Sequence, residues 1–459
     1  MRRWVERFLV EPGTDWTWRG ELVGGTTTFL AVAYIVVVNP AILAFAGIPE
    51  GPSTVATALA AAFGTLLMAF VARRPFAVAP YMGENAFLAF GLAALGITWQ
   101  QRLGAVFVAG ALFLLLTVAG VRRWLAEGVS PSLKHAFAVA IGLFLAELGL
   151  YESGIFTSFA TGLPAGALAG ESGLLRAPDV PVKLGDWSQA GTWLALVGIA
   201  VTLALVLRGV RGGILLGMLP MAAAGVVLGL APAPERWLAA PFRGELSLAP
   251  IAFQLDVAGI LEPRHWPVLA TLALMGFLDT LGTLVALGAA AGLLDRRGNL
   301  PRIERPMAVD ALASMASAVI GTSTSGAYIE SATGLRDGAR TGLAALVTAG
   351  WFVVALFVVP IARALQAMPF VYAPALVTVG ILMLRSAREV EFGDLAEAIP
   401  AFATIALTLF TYNIANGLAA GLLSAPLARL AAGRAREIEP ASWLLGAACL
   451  AYFVGGLRH

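Results

Sequence analysis

The chain has 459 residues, of which 59% are hydrophobic and only 13% charged, and its mean hydropathy is +0.83. A soluble globular protein carries roughly 25% charged residues, so this composition belongs to a helical membrane protein; a β-barrel is excluded too, because segments of about ten alternating apolar and polar residues are missing. The formal net charge of +2 selects no partner, and a single cysteine, Cys449, leaves no disulfide framework or thiolate metal site within one chain.

In chain order, the N-terminus Met1-Arg-Arg-Trp-Val-Glu-Arg7 is basic and has no short apolar core followed by a small-residue cleavage site. It reads as a retained cytoplasmic segment, residues 1–21, and not as a signal peptide. Apolar runs follow at 22–48, 55–72, 78–95, 102–119, 133–150, 191–208, 212–231, 266–292, 306–321, 325–336, 341–362, 371–385, 396–411 and 412–431. Most approach the ~20 residues a helix needs to cross hydrocarbon, so the expectation is an all-α polytopic fold of fourteen spans. With the N-terminus inside, most of the 30 Lys and Arg fall in cytoplasmic segments, as the positive-inside rule requires. The break at Tyr412-Asn-Ile-Ala-Asn-Gly417 and the cluster Arg429, Arg434 and Arg436 favour two crossings over 396–431. The last stretch, 441–456, reads either as a fifteenth span or as an interfacial helix.

Short patterns recur about 240 residues apart. Ala105-Val-Phe-Val-Ala-Gly110 resembles Ala345-Leu-Val-Thr-Ala-Gly350, and Val139-Ala-Ile-Gly-Leu143 resembles Val377-Thr-Val-Gly-Ile381. Two halves of seven spans follow. Because seven is odd, the second half enters from the opposite side, which is the inverted repeat whose discontinuous helices meet at a substrate site.

Two carboxylates stand inside apolar segments: Asp279, within Gly276-Phe-Leu-Asp-Thr-Leu-Gly-Thr-Leu284, and Glu330, within Tyr328-Ile-Glu-Ser-Ala-Thr-Gly334. An ionisable group there costs at least ~2.5–3.5 kcal/mol and marks a functional site by default. The third span opens Ala79-Pro-Tyr-Met-Gly-Glu-Asn-Ala-Phe87, and the tenth opens Gly321-Thr-Ser-Thr-Ser-Gly-Ala-Tyr-Ile-Glu330. Pro80 biases its predecessor away from helix, and Gly83 permits close approach to the backbone. Each span should therefore begin as a short extended stretch and continue as a half-helix with free N–H donors. Asn85, Asp279 and Glu330 offer one amide and two carboxylates, a set that suits a flat neutral heterocycle with adjacent N–H donors better than an inorganic anion. Glu84 reads as a third carboxylate of this site, as a proton relay or as a residue facing away from it. Glu147 and Asp310 read as interfacial charges near span ends. His135, His265 and His459 are scattered and read as structural. No metal, cofactor or nucleic acid is expected, and no enzyme motif is present: neither a His-Glu-x-x-His nor a phosphate-cradling loop.

These residues resemble the nucleobase–cation symporter family of xanthine/uracil permeases, and within it the hypoxanthine/guanine/adenine (azaguanine-type) branch. The resemblance runs from Gly24-Gly-Thr-Thr-Thr-Phe-Leu-Ala-Val-Ala-Tyr-Ile-Val-Val-Val-Asn-Pro40 to Tyr412-Asn-Ile-Ala-Asn-Gly417, and is most specific at Phe277-Leu-Asp-Thr280, Gly321-Thr-Ser-Thr324 and Tyr328-Ile-Glu-Ser-Ala-Thr-Gly334. It implies a core domain from residues 22–119 and 264–363, a gate domain from 133–231 and 370–432, and a C-terminal apolar helix at 440–459. It also implies a purine bound between core and gate, proton-coupled uptake by an elevator-like movement, a homodimer, and a bacterial inner-membrane location. Asn85, Asp279 and Glu330 match the branch's substrate-contacting positions, with Gly83, Phe277, Thr280 and Ser331 beside them. Asp279, Glu330 and Glu84 are the candidates for proton coupling. Leu278, Leu281 and Glu84 depart from the branch pattern, which bears on purine preference and not on class. An anion transporter or exchanger on the same fold is the alternative.

Overall fold

The computed structural model describes residues 2–92, 95–120, 128–158, 182–295 and 300–456; His459 lies outside them. Apolar runs become helices because a segment in hydrocarbon must pair its own backbone polar groups. Among the described residues, eight helices are long and apolar enough to cross a membrane, or nine if the bent pair Gly342–Ala355 and Val359–Gln366 is one span. Shorter apolar helices occupy Gly213–Val227, Leu395–Phe410 and Pro440–Val454. The polytopic helical class holds. Length and apolarity single out eight or nine of the fourteen expected spans.

Two expected spans are not straight. The first breaks into Trp18–Val32 and Ile35–Ala44, with Tyr34 at the joint. Within the second piece, Pro40 cannot donate to the carbonyl of Val36, and the side-chain amide of Gln366 donates to that carbonyl instead at 3.1 Å. The span expected over 341–362 bends by 75° between its two helices, where Pro360 stands in the first turn of the second helix and removes a donor.

Helix Pro131–Glu152 packs on Pro369–Met383 and on Leu395–Phe410. The crossing is close because a Cβ on Gly142 would meet the Gly380 carbonyl at 2.9 Å. Leu395–Phe410 and Ile414–Ala431 form an antiparallel hairpin, Thr408 beside Gly417 and Thr404 beside Gly421, so 396–431 does reverse direction as the sequence suggested. Ala190–Leu207 and Gly213–Val227 lean on the same Pro369–Met383 helix. A second set brings Trp18–Val32 against Gly342–Ala355, and packs Glu304–Ile320 against Glu50–Leu67 and Trp99–Val118. Glu21, fully buried, accepts the N–H groups of Thr341 and Ala344 and so satisfies the exposed donors opening Gly342–Ala355. The C-terminal helix Pro440–Gly456 packs on Ile414–Ala431 and touches Trp266–Ala290.

Candidate functional site

The two extended stretches expected in the third and tenth spans pair with each other. Val78–Pro80 runs antiparallel to Ser325–Ala327, with Val78 opposite Ala327 and Pro80 opposite Ser325. The ladder continues on both sides, as Tyr81 N–H donates to the Thr324 carbonyl at 2.8 Å and Tyr328 N–H to the Ala77 carbonyl at 2.9 Å. A two-stranded ribbon has two unpaired edges, and here side chains close them. Val78 N–H donates to Thr65 Oγ1 and Ala77 N–H to Ser331 Oγ, each at 3.0 Å. Ser325 N–H donates to Ser314 Oγ and Ala327 N–H to Asp310 Oδ2, again at 3.0 Å. The hydroxyl-rich sequence around the tenth span is therefore the reason extended backbone survives among apolar helices. From the strands start two short helices, Met82–Ala86, which widens into Phe87–Gly91, and Ser331–Arg336.

Around this crossing the expected residues sort into two groups. Asp279 and Glu330 are both partly exposed, and the helices that carry them, Trp266–Ala290 and Ser331–Arg336, are in contact. Glu330 stands at the head of the second short helix, and its Oε1 accepts a hydrogen bond from the Tyr34 hydroxyl at 3.0 Å. Glu84 is buried, and among the described residues neither of its carboxylate oxygens has a hydrogen-bond partner. Its Oε1 faces Gly276, 3.8 Å from where a Cβ would stand there, one helical turn before Asp279. Glu84 thus points into the acidic centre. Glu84 and Glu330 stand on two short helices that both touch Trp266–Ala290, the helix that carries Asp279.

The remaining expected residues also make contacts within the protein. Asn85 is fully buried; its Nδ2 donates to Asn39 Oδ1 at 2.8 Å, Asn39 in turn donates to Thr57 and Thr322, and Asn85 Oδ1 has no partner among the described residues. Ser331 is committed to Ala77 N–H. Thr280 donates to Asp310 at 3.1 Å, and its hydroxyl lies 3.1 Å from that of Tyr81. Phe277 is buried edge-on against Phe113, with ring centroids 6.2 Å apart, about 200° around the helix from Asp279 and so on another face. Gly83 does allow close approach, but Ile141 of helix Pro131–Glu152 takes the space, at 3.2 Å from a would-be Cβ.

Asp310 is corrected. Far from an interfacial, hydrated charge, it is fully buried and anchors the second strand, accepting from Ala327 N–H, Thr280 and the Tyr81 hydroxyl. Glu147 is corrected in part, since it is only partly exposed and its Oε2 is buried with no partner among the described residues. Three tyrosines went unmarked in the sequence. Tyr34 orients Glu330, while Tyr81 and Tyr328 stack at 6.3 Å with 12° between their planes, the Tyr328 hydroxyl donating to the Pro80 carbonyl. Tyr81 and Tyr328 flank the two extended segments in the sequence, a signal that was readable. Tyr34 had none.

Comparison with known proteins agrees with this architecture. The Permease family model, that of the xanthine/uracil permeases, matches residues 19–419. A putative permease of Methanocaldococcus jannaschii is 38% identical over 444 residues, covering 96% of each chain. The guanine/hypoxanthine permease PbuG of Bacillus subtilis is 36% identical, covering 97% of this chain and 98% of its own. The adenine permease AdeP of Escherichia coli is 34% identical, covering 94% and 91%. Among solved structures, the transmembrane domain of the cyanobacterial bicarbonate transporter BicA superposes with a TM-score of 0.61 at 17% identity, covering 88% of this chain and 96% of that one. The murine anion transporter Slc26a9, in its inward-facing state, gives 0.61 at 13% identity, covering 94% and 70%. At such identities the two structures share the fold alone. On the extent of the family match and the identity to its relatives, this chain belongs to the xanthine/uracil permease family and is a multi-pass membrane protein.

Proposed function

We propose that the chain imports purine nucleobases together with protons across a bacterial inner membrane, with its N-terminus in the cytoplasm. The observation that carries this reading is the pair of partly exposed carboxylates, Asp279 and Glu330, at the crossing of the two short helices. A carboxylate accepts two parallel N–H bonds, the pattern that guanine presents along the edge of its ring N–H and amino group. The relatives named as guanine/hypoxanthine and adenine permeases support the same substrate class. An anion transporter would share the fold. Its substrate, however, would face Glu84, Asp279 and Glu330, none of which is paired with a Lys or Arg among the described residues, and like charges at close range repel by several kcal/mol in a low-dielectric setting.

In the mechanism, Asp279 or Glu330 takes up a proton from the outer side, and proton plus purine together neutralise the acidic centre. Residues 22–119 and 264–363 then act as a core that moves against a gate formed by 133–231 and 370–432. The packing of Pro131–Glu152 with Pro369–Met383 and of Glu304–Ile320 with Trp99–Val118 supports this division. Among the contacts that would have to break or slide as the core moves are Ile141 on Gly83, Phe90 on Tyr412 at 5.6 Å, and the Arg211–Asp337 ion pair at 2.7 Å. A homodimer would hold the gates still while the cores travel. The substrate class is tested by displacement of labelled hypoxanthine from the purified protein. Guanine and adenine should displace it at micromolar concentrations while sulfate and bicarbonate do not. Displacement by the anions alone would reverse the assignment.

A further inference from the structure

The helix Arg2–Leu9 is amphipathic in a particular way. Val5 and Leu9 are buried against Ala69, Leu343 and Ala345, which fixes the helix to the body of the protein. One step around the helix, Trp4 and Phe8 remain 49% and 39% exposed. Trp4 meets Phe8 at 5.4 Å and lies edge-on to Phe70 at 6.3 Å. Phe70 ends a span, Glu50–Ala72, on whose outer face Phe63 and Val71 are also exposed. An exposed apolar face on a spanning helix faces lipid, so a helix stacked on its last turn sits at the membrane surface. Large aromatics on that side are what the interface selects.

The next step around the helix is basic. Arg3 and Arg7 are exposed one turn apart. Among the described residues neither has an acidic partner, and Arg7 lies over the Phe8 ring at 5.3 Å. Arg2 is paired with Glu6 at 3.0 Å. Next to the helix, a cavity of about 780 Å³ is lined by Arg2, Arg7, Arg73 and Arg340, with Glu6, Glu11 and Asp15 on its walls. Glu11 is already taken up by Arg74 at 3.2 Å and Arg302 at 3.4 Å, so the unneutralised charge on this rim is positive. We infer that Arg2–Leu9 is a docking surface for anionic phospholipid headgroups, with Trp4 and Phe8 seated at the acyl boundary and Arg3 and Arg7 on the phosphates. The charges complement the surface that the aromatics place them in. Such a contact would tie the N-terminal helix, and through Leu9 and Leu343 the Gly342–Ala355 helix, to the lipid composition of one leaflet.

The test uses the full chain in detergent micelles doped with phosphatidylglycerol or phosphatidylcholine, read by its melting temperature. Phosphatidylglycerol should raise the melting temperature above the phosphatidylcholine value. In Arg3→Gln/Arg7→Gln the phosphatidylglycerol concentration for half the effect should rise about 30-fold, at roughly fivefold per basic residue lost, with the phosphatidylcholine value unchanged. If that variant melts early in phosphatidylcholine as well, the parent alone decides: moving from about 0.05 to about 0.5 M salt should remove its phosphatidylglycerol preference. A parent that does not distinguish the two lipids overturns the inference. So does a preference that survives both the substitutions and the salt, or one that inorganic phosphate reproduces by itself.

Discussion

Replacing Glu330 by Gln perturbs the proposed site with almost no change of shape. Glu330 Oε1 accepts the Tyr34 hydroxyl at 3.0 Å, and an amide oxygen can keep that bond. What changes is the other atom, where an acceptor becomes an NH2 donor turned towards the purine's own N–H groups. Losing one charge-assisted bond and opposing two donors should cost about 2–4 kcal/mol, or ~30–1,000-fold in affinity. Tyr34→Phe separates charge from orientation. It removes the hydrogen bond but keeps the carboxylate, and should cost about 0.5–1.5 kcal/mol, ~2–12-fold. The assay is equilibrium binding of guanine, whose ring N–H and amino group lie side by side, to each purified variant, after confirming that it elutes and melts like the parent. A folded Glu330→Gln protein that binds within a few-fold of the parent removes Glu330 from the site. A Tyr34→Phe loss as large as that of Glu330→Gln would mean that orientation, and not the carboxylate's acceptor character, is what matters.

Asp279→Asn should mimic a permanently protonated carboxylate, exchanging purine across the membrane without concentrating it; proton-driven accumulation in this variant rules out Asp279 as the coupling group. Glu84 faces Gly276 inside the acidic centre, so Glu84→Leu should flatten the pH dependence of hypoxanthine affinity between about pH 5 and 8 while binding persists, because interacting carboxylates titrate as a set. A profile that overlays the parent's refutes this. Gly83→Ala places a methyl 3.2 Å from Ile141 and should slow uptake several-fold with little effect on affinity. Adding Ile141→Ala should restore the rate, and failure of that rescue would show that this contact does not slide. Asp310→Ala strips three donors of their buried acceptor and should cost about 3 kcal/mol or more, seen as a lower melting temperature even without purine.

Much of the site's frame was legible because backbone constraints are local. Pro80 and the Gly/Ser/Thr run at 321–326 announced that two spans could not begin as helix, and Val78–Pro80 does pair with Ser325–Ala327. Asp279 and Glu330 stood out because charge is rare in apolar segments. What escaped was direction and distance. Asn85, one residue from Glu84, points into a buried amide–hydroxyl network while Glu84 faces Gly276, and adjacent positions on a helix part by 100°. Asp310 reads as interfacial because it lies near the start of the run 306–321, yet its carboxylate turns inward to the ribbon. Tyr34 sits in a run, Val32 to Val38, whose apolarity hides a break in the helix. Only the return of Ser331–Arg336 against Trp18–Val32 brings Glu330 to it.

The account turns on what crosses the membrane and what drives it. The most direct measurement is uptake of labelled hypoxanthine, guanine, adenine, uracil and sulfate into proteoliposomes, with and without an inward proton gradient. Purines should enter, and should accumulate above the external concentration only when the gradient is present. Entry of sulfate in place of purines, or purine accumulation indifferent to the gradient, would contradict it.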